Sequence, residues 1–113
     1  MKSKIASLSK NTEFKSLLSG KKISNKYSTI FFKKLKNKSS KKFNISFVAK
    51  KKLGNAVIRN KIKRRLRNIM NEAYKNIDIN MDYSYLVIAK KMIFDDKYIN
   101  VKKIIIIDFK KIK

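Results

Sequence analysis

All four arginines of the chain fall between positions 59 and 67, as Arg59, Arg64, Arg65 and Arg67, while the rest of its positive charge is lysine. A guanidinium offers a planar fork of donors that grips phosphate oxygens or base edges in pairs, whereas an ammonium is a point charge. Arginine kept to one short stretch therefore marks that stretch for recognition of a polyanion. Asn60, Lys61 and Lys63 are interleaved with the arginines, and Lys51 and Lys52 precede them across Gly54. These nine side chains form the candidate nucleic-acid-binding set: Lys51, Lys52, Arg59, Asn60, Lys61, Lys63, Arg64, Arg65 and Arg67.

The rest of the composition narrows the chemistry. The chain has 113 residues, with 31 Lys plus Arg against 7 Asp plus Glu and a formal charge of +24. Some of the lysine reflects the Lys-, Ile- and Asn-rich bias of AT-rich genomes, but the scarcity of acids does not. Such a balance points to nucleic acid or an anionic membrane as partner. There is no His and no Cys, which removes the commonest general base, the commonest metal ligand and every disulfide. The few carboxylates are scattered, with only Asp95 and Asp96 adjacent. No catalytic residue and no metal site is expected on this chain. Nor does an apolar run such as Ile104–Ile107 approach the length of a membrane span. No signal peptide is evident, so the expected location is cytoplasmic and no membrane partner is expected.

The elements that must position these cations follow from periodicity. Residues 1–113 read as one RNA-binding domain, with 1–10 a flexible basic arm. Asn11–Thr12 cap a short helix, about 12–19, that Ser19-Gly20 ends. Tyr27–Leu35 reads as a strand. So does 43–49, where Phe43, Ile45, Phe47 and Ala49 alternate with more polar positions. The polar segment 36–42 between them suggests an antiparallel hairpin with a basic loop. Gly54-Asn55 opens the clearest helix, about 55–76. Ile58, Ile62, Leu66, Ile69 and Ala73 make its apolar stripe, and Asn60, Lys63, Arg64, Arg67 and Asn71 its opposite arc. Arg59 and Arg65 border the stripe, so the polar face carries a cationic strip about 15 Å long. Tyr85–Lys90 is a further strand, and Phe94–Asp96 reads as a turn and helix start. The tail 98–113 stays open: four consecutive Ile favour a strand, whereas Val101, Ile105 and Phe109 at i, i+4, i+8 favour a helix, the preferred reading.

The stretch Ala49–Arg67, AKKKLGNAVIRNKIKRRLR, resembles the signature of the bacterial ribonuclease P protein subunit. Nine positions carry the match: Lys51, Lys52, Gly54, Ala56, Val57, Arg59, Asn60, Lys63 and Arg64. LSKNTEF around Phe14 resembles that family's first helix and DYSYLVIAKK around Val87 its last strand. Lys61 stands where the family often has a second Arg. The resemblance implies an α+β fold, a two-layer α/β sandwich (ribosomal protein S5 domain 2-like). It would hold a central, mostly antiparallel sheet, a short N-terminal helix, the long basic helix as a left-handed crossover, and a C-terminal helix. It implies ribonuclease P RNA and the 5′ leader of precursor tRNA as partners, with one protein per RNA. It also implies Mg²⁺ as a cofactor required by the RNA subunit, none being held tightly by the protein. The leader would lie in a cleft lined by Phe14, Phe31, Asn60 and Lys63, aromatic platforms beside a basic groove being how single strands are gripped. For Phe14 and Phe31, plain core packing is the competing use. The alternative to this reading is another small basic RNA-binding protein, such as a ribosomal protein, for which a basic amphipathic helix is also usual.

Overall fold

A computed structural model describes residues 5–6, 17–34, 43–79 and 83–112. Five strands form one mixed sheet: β1 (Ile5–Ala6), β2 (Lys21–Ser24), β3 (Ser28–Lys34), β4 (Phe43–Val48) and β5 (Tyr83–Ala89). A 3₁₀ turn, Lys51–Leu53, follows β4 and leads into α1 (Ala56–Asn76), and β5 is followed by α2 (Met92–Asp95) and α3 (Tyr98–Lys110). The strand order is β1-β4-β5-β3-β2. β4 runs parallel to both β1 and β5, while β3 runs antiparallel to β5 and β2.

Two expectations are corrected by this topology. The strands 28–34 and 43–48 are not a hairpin, because β5 lies between them and pairs with both. The hairpin is β2–β3 instead, and β2 (KKIS) is too short and polar to show strand periodicity. The sheet is also evenly mixed rather than mostly antiparallel, since α1 carries the chain from β4 to a parallel neighbour. Of the expected N-terminal arm, Ile5–Ala6 joins the sheet beside Phe43–Asn44. The other arm residues, the basic loop 36–42, and the first helix up to residue 16 with Phe14 lie outside the described residues. Leu17 and Leu18 are helical.

Strand alternation divides the sheet into two faces. Ile30, Phe32, Ile45, Tyr85 and Val87 point to one face, where α1 contributes Ile62, Leu66, Ile69, Met70 and Ala73 and α3 contributes Val101, Ile105 and Phe109. Tyr85 packs on Phe109 with ring centroids 5.2 Å apart. The tail is therefore a helix: burial of its i, i+4, i+8 stripe overrides the β-propensity of four Ile. On the opposite face Leu17 covers Leu86, and Phe31, Val48 and Ile88 pack around them half-buried.

Asn55 starts α1 by accepting a hydrogen bond from the Ile58 N–H at 3.0 Å, the usual N-cap geometry. Gly54, just before it, has φ +150°, and a Cβ there would lie 3.0 Å from Ile58 Cγ2. Gly54→Ala is expected to cost on the order of 1–2 kcal/mol, as a side chain does in this glycine region of backbone space. Urea unfolding of the two proteins measures it, and an unchanged midpoint would refute it.

Polar contacts join the β2–β3 turn to the helical end of the chain. Asn25 Oδ1 accepts from the Tyr27 and Ser28 N–H groups, both at 2.8 Å, while its Nδ2 donates to buried Asp108 at 2.7 Å. The Tyr27 hydroxyl donates to Asp96. Asp96 also accepts from the Lys97 N–H at 2.7 Å and from Asn100 Nδ2 at 3.1 Å, and Lys26 lies 3.8 Å away. These contacts, the Tyr27 bond first, hold the Asp96 carboxyl down to about 2. A folded value below the unfolded one means the contribution is complete above about pH 5 and is lost as acidity rises. Loss is finished once the pH has fallen through about 2. The unfolding midpoints of the native chain and Asp96→Asn should therefore differ at neutral pH and converge near pH 2. A gap that stays constant on acidification would contradict this.

Candidate nucleic-acid interface

α1 is the rigid element that carries most of the expected cations. Over its 21 residues it bears seven Lys or Arg against the single acid Glu72, which is paired with Lys102 of α3 at 2.9 Å. Since Ile62, Leu66, Ile69, Met70 and Ala73 are buried against the sheet, the helix can turn only one face outward. Asn60, Lys61, Lys63, Arg64 and Arg67 are all exposed on it. Among the described residues none of these four cations has a carboxylate partner, since the ion pairs involve Lys26, Lys102 and Lys111. The outward arc is therefore a row of unneutralised charge on a stiff support, suited to polyphosphate.

The two arginines at the borders of the stripe behave differently. Arg59 is half-buried, and its Nε has no hydrogen-bond partner among the described residues. Arg65 is half-buried and committed: one terminal nitrogen donates to the carbonyls of Ile93 at 2.8 Å and Asp96 at 2.9 Å. Both carbonyls belong to the α2–α3 corner, so Arg65 ties α1 to that corner. Its place in the candidate set rested on the clustering of the arginines and their fork geometry, and this contact is made with residues about thirty positions away. Lys51 and Lys52 lie exposed in the 3₁₀ turn beyond β4.

The aromatic candidates are placed only in part. Phe31 stands half-buried on the sheet face opposite the one α1 covers. It is not clustered with Asn60 and Lys63, which belong to α1. Around Phe31 that face exposes parts of Thr29, Ser46, Val48 and Ile88. At one end of it a cavity of about 400 Å³ is lined by Thr29, Leu53, Ile88 and four lysines. Three of those lysines, Lys50, Lys90 and Lys91, were absent from the sequence-derived set. Their only signal in the sequence was a run of Lys just beyond two strands. Among the described residues no three acidic side chains are grouped to hold a metal ion, and no helix is long and apolar enough to cross a membrane.

Comparison with known proteins sets this geometry in context. The family model described as Ribonuclease P matches residues 2–113. The ribonuclease P protein component of Mycoplasma capricolum is 33% identical over 106 residues, covering 94% of each chain. Among solved structures, the Staphylococcus aureus RNase P protein at 2.0 Å superposes with a TM-score of 0.75 and 27% identity, over 94% of this chain and 93% of that one. The RNase P protein from Thermotoga maritima shares the fold, with a TM-score of 0.80 at 24% identity over 96% of this chain and 98% of that one.

Proposed function

Because the chain belongs to the bacterial ribonuclease P protein family, the protein component of an RNA-based endoribonuclease of tRNA processing, we propose how its surfaces divide the work. The outward arc of α1, with Asn60, Lys61, Lys63, Arg64 and Arg67, contacts ribonuclease P RNA, and half-buried Arg59 joins it from the border of the apolar stripe. The 5′ leader of precursor tRNA runs along the sheet face that bears Phe31, with Lys51 and Lys52 at its end. The observation that carries this reading is the row of uncompensated cations on α1. Fixed on one face of a packed helix, it lowers repulsion between two polyanions without being ordered at the moment of binding.

Contacts made only to the leader raise affinity for precursor over mature tRNA, because the mature product no longer has those phosphates. In this reading Mg²⁺ would be held by the RNA subunit and would supply the chemistry at the scissile phosphate there. The donors on this chain do not fit that ion, since ammonium and guanidinium groups repel it and the described acids do not converge. The protein's own residues bind and orient RNA, and no protein side chain is assigned to bond cleavage. One protein per RNA, a single domain over 1–113 and a cytoplasmic location complete the reading.

The test is cleavage of precursor tRNA by a bacterial ribonuclease P RNA at low Mg²⁺, alone, with the native chain, and with Arg59→Ala/Asn60→Ala. Rescue by the native chain and weak rescue by the double variant are expected. Tight, salt-dependent RNA binding without any rescue would reduce the chain to a general RNA binder.

A further inference from the structure

α3 carries more apolar surface than it buries. Val101, Ile105 and Phe109 face the core, and Asp108, the only acid of the helix, is buried with them. Ile99 stays 60% exposed and Ile107 40% exposed. Four of the six exposed large apolar side chains among the described residues, Met92, Phe94, Ile99 and Ile107, fall in this helical end of the chain. One apolar stripe is enough to join a helix to a core, so the outer isoleucines are surplus to the fold.

Their spacing is specific. Ile99, Lys103, Ile106 and Lys110 stand at i, i+4, i+7 and i+11, the alternation of a helix–helix seam. At α-helical pitch they share one stripe about 60° wide and about 16 Å long. Ile106 is half-buried and the other three are exposed. Neither Lys103 nor Lys110 takes part in an ion pair among the described residues. The seam therefore alternates apolar positions with unneutralised cations.

That alternation selects the occupant. A phosphate backbone would answer the lysines and leave the isoleucines in water. A bilayer surface takes an unbroken apolar face, whereas these lysines sit within the stripe and would be carried into it. A second copy would bring four lysines into the seam with no exposed acid of α3 to meet them. A helix with apolar side chains and carboxylates at the matching positions buries the isoleucines and pairs both ammonium groups.

We infer that the outer face of α3 docks an acidic amphipathic helix of a protein partner. Its apolar anchors lie against Ile99 and Ile106, and its carboxylates against Lys103 and Lys110. None of these four residues belongs to the RNA surfaces proposed above, so failure of this inference would leave that reading untouched.

The probe is a synthetic helix about three heptads long with Leu and Glu alternating along its seam. It is titrated calorimetrically into the full chain at about 0.3 M salt, where diffuse attraction is largely screened. A twin with Ser for each Leu carries the same charge. The Leu helix should bind about tenfold or more tighter than the Ser helix, the scale of burying two part-exposed isoleucines. Ile99→Ser should weaken the Leu helix about fivefold or more. Lys103→Glu/Lys110→Glu should reverse the preference, so that a helix with Lys for each Glu binds better than the original. Lys63→Glu/Arg64→Glu makes the same charge change on α1 and should leave the original preference in place. Circular dichroism checks that each variant keeps its fold, as expected for exposed positions.

Equal binding of the Leu and Ser helices, undiminished binding in Ile99→Ser, or no reversal in the charge swap would overturn the proposal. What remained would be the general attraction of a +24 chain for acids. Self-association of the chain in sedimentation, abolished by Ile99→Ser, would overturn it in favour of a second copy. Co-sedimentation with phosphatidylglycerol vesicles at the same salt, lost in Ile99→Ser, would overturn it in favour of a membrane.

Discussion

Lys63→Ala/Arg64→Ala/Arg67→Ala should weaken binding to ribonuclease P RNA by about two orders of magnitude near 0.1 M salt, and lower the slope of log affinity against log salt by about 2–3. Each phosphate neutralised releases condensed counterions and contributes about 0.7–0.9 to that slope, so three contacts give the range. Stability should hardly move. The three side chains are exposed, make none of the described ion pairs, and project from the face of α1 away from the core. Alanine is also the better helix former. Fluorescence anisotropy across a salt series, with thermal unfolding of the same samples, measures both quantities. An unchanged slope would mean that the arc does not touch phosphate, and would remove the main support for the proposed division of surfaces.

Arg65→Ala should do the reverse. It removes two hydrogen bonds from a charged donor and leaves the Ile93 and Asp96 carbonyls without that partner. At about 1.5 kcal/mol for each bond to a charged group, the loss comes to about 3 kcal/mol. For a chain of this size that lowers the melting temperature by about 10 °C or more. The salt slope should stay within about one unit of the native value, because the guanidinium is already occupied within the fold. Arg65→Lys should recover only part of the stability, since one ammonium does not reproduce the planar fork. A slope that falls as steeply as in the α1 triple variant, with unchanged stability, would return Arg65 to the RNA surface. The two variants together separate cations that build the fold from those left free for a partner, although all four are charged residues of one helix.

Much of this molecule could be read from local pattern. The stripe Ile58–Ala73, with Asn55 at its head, placed α1 to within a residue, because a 3.6-residue period and an N-cap are both local properties. The segments 27–35, 43–49 and 85–90 showed their β character through branched and aromatic side chains, and the strands lie at 28–34, 43–48 and 83–89. The spaced set Gly54, Arg59-Asn60, Lys63-Arg64 indicated the family before any fold was known.

What the tertiary structure alone decided is pairing and commitment. Strands close in sequence usually pair, yet β3 and β4 are separated by β5, because the packing of the whole core selects the partner and no residue in either strand does so alone. The tail's four Ile favour a strand by propensity, and the helix suggested by its i, i+4, i+8 spacing prevails because Val101, Ile105 and Phe109 are buried on the sheet. Charge is legible in a sequence, but whether a charge is free is not. Arg65 is bound by carbonyls 28 and 31 residues away and Asn25 by an aspartate 83 residues away. Lys90 joins Lys50 and Lys52 around one cavity only because β4 and β5 end side by side. Contacts of that range form only once the chain has collapsed onto its core, so the composition determines that this protein seeks a polyanion and the fold determines which of its cations remain to meet one.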